Sequence, residues 1–241
     1  MSEVNYTLWN SLNEAHTADN FYEVTLESLS QIISLTKYFD ISIKEKAEDS
    51  SKYIELASKI SNLKNLSITI TNTLNTSGLV SGVSVKFNNT DSGSTVSNFT
   101  VSISDAFVMK IFELSDGIIV RSQNSTIKQS FDFMLLNGSL SDGSDILSFW
   151  YGNTNNSYFS YTTSLNKVDL NSTSSLTSST DISGNITLVP FYPIYSIYSG
   201  MYYTVKRFFV SYGQTSIPQR FIVKGKTFMA LTGTQYAINI D

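Results

Sequence analysis

"LSITITNTL", residues 66–74, sets Leu66, Ile68 and Ile70 at every second position, with Ser67, Thr69 and Thr71 between them. A strand turns successive side chains to opposite faces, so this stretch describes a half-buried β-strand with one apolar face. The alternation returns in "GVSVKF", residues 82–87, through Val83, Val85 and Phe87, and in "FTVSISDAFVMKIFEL", residues 99–114, through Phe99, Val101 and Ile103. Asp116-Gly117, Asn137-Gly138 and Asp142-Gly143 read as turn dipeptides, because these residues accept the positive φ of tight hairpins. Strand-sized segments between turn signals continue to the end. Residues 67–241 are therefore expected to form a mainly antiparallel, sandwich-like β domain. The Ser/Thr-rich run "LNSTSSLTSSTDISGN", residues 170–185, interrupts it as a flexible surface loop with too little apolar content to order itself by burial.

Upstream the period changes. Tyr22, Leu26, Leu29 and Ile33 recur at steps of four and three between Asp19 and Asp40, which lines them along one side of a helix. From Lys44 onward, Tyr53, Leu56, Ile60 and Leu63 repeat the spacing over Lys, Glu and Ala, and predict a second helix capped by Asp40 or Ser42. The two stripes suit packing on each other, on the β domain, or in a coiled coil. Neither sustains the three or four heptads a coiled coil needs, which favours a helical hairpin over residues 1–66, used for docking or oligomerisation. The fold class expected is α+β by regions.

Charged residues make up 15% of the 241 positions, with a net charge of −4. Ten acids and six lysines fall in residues 1–66, leaving ten charges of each sign for the rest, so the acidity belongs to the N-terminal region. No basic block marks a nucleic-acid footprint. The absence of cysteine excludes disulfides, thiolate metal sites and cysteine nucleophiles. No stretch approaches the roughly 20 apolar residues that cross a bilayer, and "MSEVNYTLWNSLNEAH" lacks the pattern of a secretory signal. A soluble chain without membrane insertion is expected. Asn-x-Ser/Thr triplets such as Asn75-Thr76-Ser77, Asn98-Phe99-Thr100 and Asn185-Ile186-Thr187 follow from the Asn/Ser/Thr-rich composition, with no export signal beside them.

The reactive residues do not converge into a motif. Gly225-Lys226-Thr227 ends like a phosphate loop, but Arg220 stands where the loop needs its first glycine, and strand-forming residues flank it. Lys224-Gly225 is read instead as a hairpin turn between strands, with Tyr236, Ile238 and Ile240 along a last strand. His16 is the only histidine, too little for a zinc site, and is read as an exposed or partly packed side chain rather than a triad member. The β region holds one glutamate, Glu113, and its aspartates sit mostly in turns, so a glycosidase pair is not expected. "SDGSDI", residues 141–146, offers Asp142, Ser144 and Asp145 but lacks the further oxygens and closing glutamate of a calcium loop. Neither enzymatic activity nor a cofactor or metal is expected.

"VPFYPIYSIYSGMYYTVKRFFVSY", residues 189–212, concentrates the aromatics, among them Tyr192, Tyr195, Tyr198, Tyr202 and Tyr203. Tyrosines with one apolar face and one wet edge suit core packing, a subunit contact, or stacking on a sugar ring. All three uses stay open from the residues alone.

The short acidic helical start, the cysteine-free Ser/Thr/Asn-rich β body and the ending "RFIVKGKTFMALTGTQYAINID", residues 220–241, resemble structural proteins of tailed-bacteriophage particles, of tail, baseplate or fibre-associated type. The resemblance rests on those last residues and on composition, and transfers no functional residue. It implies a non-enzymatic virion component, made in the reducing bacterial cytoplasm, that assembles with itself and with other virion proteins. The alternative expectation is a receptor- or carbohydrate-binding module whose tyrosines contact host surface glycans.

Overall fold

The computed structural model describes residues 2–10, 16–89, 99–103, 106–123, 130–140, 142–153, 156–161, 167–169, 187–190, 194–197, 201–204, 208–212, 220–223, 225–230 and 236–241. The elements run β1 (Ser2–Asn10), α1 (Ala18–Ser30), α2 (Ile33–Thr36), β2 (Phe39–Glu45), β3 (Lys52–Ser58), a 3₁₀ turn (Ser61–Leu63), β4 (Leu66–Leu74), β5 (Val80–Asn89), β6 (Phe99–Ile103), β7 (Ala106–Leu114) and β8 (Gly117–Gln123). They continue with β9 (Ser130–Leu140), β10 (Asp145–Asn153), β11 (Asn156–Tyr161), β12 (Lys167–Asp169), β13 (Thr187–Pro190), β14 (Ile194–Ile197), β15 (Met201–Thr204), β16 (Phe208–Tyr212), β17 (Arg220–Val223), β18 (Lys226–Ala230) and β19 (Tyr236–Asn239). Among the described residues the chain is a mostly antiparallel β protein with one helix of useful length near its start.

Three sheets form. The first has the order β1-β7-β8-β9-β10-β11-β12, with the β14–β15 hairpin attached to β9. The second is β2-β3-β4-β5-β6, and the third β13-β16-β19-β18-β17. The founding stretch behaves as its pattern demands, since Leu66, Ile68 and Ile70 on β4 are buried and the intervening residues are not. On β5, Val83, Val85 and Phe87 do the same, with Ile68 opposite Phe87 and Ile70 opposite Val85.

Aromatic contacts fasten the second sheet to the first. Phe87 lies 6.0 Å from Phe133 on β9, 6.0 Å from Phe149 and 5.2 Å from Tyr151 on β10, while Phe39 on β2 meets Phe133 edge-on at 6.2 Å. This is a sandwich core made by the inward faces of two sheets. Each ring pair adds about 0.5–1.5 kcal/mol to the gain from burial alone. Helix α1 packs against β1, β2, β3 and β4 through Phe21, Tyr22, Thr25 and Leu29. Thr17 caps it, its hydroxyl accepting the Asn20 N–H at 3.5 Å.

The first sheet is buried on both faces at its centre. Phe133 and Leu135 join the sandwich core, and the alternate residues Met134 and Leu136 are equally inaccessible outside it. Doubly buried strands read as continuous apolar runs, which is why "FMLL", residues 133–136, shows no alternation.

Several expectations are corrected. Residues 44–63 hold no α-helix; they form the second half of a β2–β3 hairpin and the 3₁₀ turn, with Ile43 opposite Ile54 and Ile41 opposite Leu56. The spacing of Tyr53, Leu56, Ile60 and Leu63 fits a helix, yet Ile54 and Leu56 are the residues fully buried, at period two. A seven-residue segment rich in β-branched neighbours gains more as a strand of an existing sheet than as an isolated helical turn. The first helix stops at Ser30 rather than running to Asp40, which leaves Ile33 82% exposed and buries Ile32 in its place. Residues 2–10 are a strand, β1, paired along β7. The second sheet thus includes residues on both sides of position 66. Asn137-Gly138 is not a turn but lies inside β9, opposite Leu147 and Ile146. Asp116 and Asp142 do sit at hairpin turns, β7–β8 and β9–β10. The loop expected at 170–185 lies outside the described residues.

Candidate functional site

Of the tyrosines singled out, Tyr192 and Tyr198 lie outside the described residues. Tyr195 falls on β14, and Tyr202 and Tyr203 on β15. Register places Tyr195 opposite Tyr203, and Ser196 opposite Tyr202. Directly opposed positions share a face and neighbouring positions alternate, so Tyr195 and Tyr203 occupy one face of the hairpin and Tyr202 the other.

The hairpin's attachment has a clear cause. Strand β8 follows β9 only from Gln123 opposite Ser130 to Gly117 opposite Leu136, because the β7–β8 turn intervenes there. Strand β9 runs on to Leu140, and its backbone groups still need partners. Strand β15 supplies them, with Tyr203 opposite Leu140 and Thr204 opposite Ser139. The aromatic segment is thereby anchored at one end of the first sheet.

The terminal residues form the outer part of the third sheet. Phe221 stands opposite Phe228, and Met229 opposite Ile238. Gly225, at φ +74, makes the tight β17–β18 connection, as a residue without Cβ does most cheaply. Thr227, the residue that mimicked a phosphate-loop end, donates its backbone N–H to Asp241 Oδ2 at 2.8 Å. That bond holds the Asp241 carboxyl below its ordinary range. Strand β17 pairs on one side only among the described residues, and Ile222 on it is 71% exposed.

The remaining reactive residues take structural places. His16 is 7% exposed, more deeply packed than its sequence context suggested, and its carbonyl accepts the Val80 N–H at 2.9 Å. With the bridge between Thr17 and Leu79, it pins the start of α1 to the β4–β5 turn. Glu113 stands on β7 opposite Ser2 of β1. Asp142 accepts the Ser144 N–H at 2.9 Å and the Ser144 hydroxyl at 2.6 Å, the closure of a turn, and these bonds lower its pKa. Among the described residues, no group of three or more His, Asp or Glu side chains is placed to hold a metal ion. No helix of the described residues is long and apolar enough to cross a membrane.

Sequence reasoning missed the buried polar pair Ser148 and Trp150 and the cleft beside α1. Both depend on which strands become neighbours, and no local spacing announces that. No known family model, curated protein or solved structure matches the chain.

Proposed function

We propose that this chain is a non-enzymatic structural component of a bacteriophage virion, in the tail, baseplate or fibre region, acting by assembly with copies of itself and with other virion proteins. The observation that carries the reading is the edge of the third sheet. The ending through which the sequence resembles such proteins is the segment that folds as β17, β18 and β19. Its outermost strand combines backbone groups without a neighbour among the described residues with an exposed Ile222. Such an edge is a template for a strand from another chain. Strand β2, the edge of the second sheet, instead carries exposed Asp40, Lys44 and Glu45, charges that discourage edge pairing. Assembly is therefore expected through the third sheet.

Sedimentation velocity on the full chain at rising concentration tests this. The native chain should form reversible oligomers, and Ile222→Lys should stay monomeric with an unchanged circular dichroism spectrum. A native chain that is monomeric throughout and fails to enter particles overturns the reading.

A further inference from the structure

Where α1 begins, the β2–β3 turn and the far end of β4 close around a cleft of about 410 Å³. Small-molecule sites occupy about 300–1,000 Å³. The frame of the cleft is fixed by the chain's own bonds. Tyr22 is 4% exposed, and its hydroxyl accepts the Asn72 N–H at 3.3 Å. Asn72 Nδ2 donates to the Ala18 carbonyl at 3.4 Å, tying β4 to the first turn of α1. Lys52 Nζ donates to Asp19 Oδ1 at 2.7 Å. The β2–β3 turn closes through the Ser50 N–H to the Lys46 carbonyl at 3.0 Å and the Lys46 N–H to the Ser51 carbonyl at 2.9 Å.

This frame leaves hydrogen-bonding capacity over. Lys46 Nζ, Ser50 Oγ, Thr71 Oγ1 and Asn72 Oδ1 belong to lining residues and make no hydrogen bond among the described residues. The lining thus offers donors (Lys46, Lys52), acceptors (Asn72 Oδ1, Asp19) and groups that do both (Ser50, Thr71). An inorganic anion, which only accepts, would lie against the Asp19 carboxylate and the Asn72 carbonyl. A metal cation would lie against two ammonium groups. Vicinal hydroxyls, each donating and accepting, leave none of these groups mispaired. Leu74, 44% exposed at the rim, adds an apolar surface for the C–H face of a ring.

We propose that this cleft binds a saccharide of about one ring through its vicinal hydroxyls. Lys46 and Lys52 are offset by Asp19 and by Glu23, Glu45 and Asp49 close by, so a neutral sugar binds at least as tightly as its uronic acid. The site uses none of the tyrosines at 192–203 and is independent of the assembly reading.

Amide NMR titration of the full chain with glucose, galactose, N-acetylglucosamine, glucuronate and inorganic phosphate tests the proposal. The sugars should shift the Ser50, Ser51, Thr71 and Asn72 amides saturably, the neutral sugars at concentrations no higher than glucuronate. Thr71→Val and Lys46→Ala should each weaken binding about two- to tenfold, the worth of one hydrogen bond, while amides elsewhere keep their positions. Three results overturn it: no sugar moves those amides, phosphate moves them as strongly as the neutral sugars, or glucuronate binds and every neutral sugar fails.

Discussion

Trp150 donates its indole N–H to Ser148 Oγ at 2.7 Å, two residues earlier on the same face of β10, and Ser148 in turn donates to the Leu136 carbonyl on β9 at 3.0 Å. Both side chains are fully buried. They lie on the face of the first sheet that turns away from the sandwich core, beside Met134 and Leu136. A buried indole N–H left without an acceptor costs free energy, and the serine hydroxyl relays it to a strand carbonyl.

Ser148→Ala should therefore destabilise the fold by about 1–3 kcal/mol, the cost of leaving a buried donor unsatisfied. In a Trp150→Phe background the same change should cost distinctly less, because the orphaned N–H is gone. Urea unfolding of the native chain, both single variants and the double variant measures this coupling; additivity would disprove the relay.

Gly117 opens β8 where the chain leaves the β7–β8 turn, and a Cβ placed on it would collide with the Leu135 carbonyl oxygen of β9. That oxygen belongs to a strand paired on both sides and buried, so it cannot step back without breaking the ladder. Gly117→Ala should cost about 1–3 kcal/mol and raise amide exchange at Leu135 and Leu136. Gly225→Ala has open space around the new methyl and should disturb only its own turn, through the unfavourable φ. Equal effects of the two changes on β9 exchange would refute the contact.

The strands were legible where one face is wet. Leu66, Ile68 and Ile70 announced β4, and Val83, Val85 and Phe87 announced β5, because their neighbours face solvent or the sheet rim. Legibility failed where burial is two-sided, as in β9, and where two periods coincide, as at Tyr53, Leu56, Ile60 and Leu63. Ile41 and Ile43 held the missed signal, an alternation that continues into Ile54 and Leu56 across the turn. The Asn137-Gly138 dipeptide misled because turn chemistry is permissive rather than obligatory, and pairing with Leu147 and Ile146 overrides it. The α1 cleft was illegible for another reason. Asp19, Lys52 and Asn72 are far apart in sequence and meet only after three elements pack.

Ser50 is the one non-glycine among the described residues at positive φ, +57, in the β2–β3 turn. A serine in the left-handed region costs about 1–2 kcal/mol through its Cβ. Ser50→Gly should relieve that strain, less the added freedom of the unfolded chain, for a net gain of about 0.5–1 kcal/mol. Thermal unfolding should show a raised midpoint. A lowered midpoint would mean that the Ser50 side chain, rather than the turn geometry, holds residues 46–51 together.

The pH dependence of stability has a definite sign at each end. Hydrogen bonds from the Ser144 hydroxyl and N–H hold Asp142 below its ordinary 3.8, and the Thr227 N–H does the same for Asp241. A depressed carboxyl stabilises the folded state above 3.8 and loses that contribution as pH falls through its lowered value. At the other end, burial raises Tyr22 above its ordinary 10.0, outweighing the Asn72 N–H that lowers it. The hydrogen bond to Asp19 raises Lys52 above 10.5. Groups raised in the folded state stabilise it below their ordinary values and cease to do so as pH climbs through the raised ones. Stability should thus be flat between about pH 5 and 9 and decline beyond both limits. Tyr22→Phe removes the alkaline contribution of the phenol but also the acceptor for the Asn72 N–H, so it should flatten the decline above pH 10.0 while lowering stability at neutral pH. Urea midpoints across the range, for the native chain and this variant, measure both; an alkaline limb unchanged by the substitution would remove Tyr22 as its source.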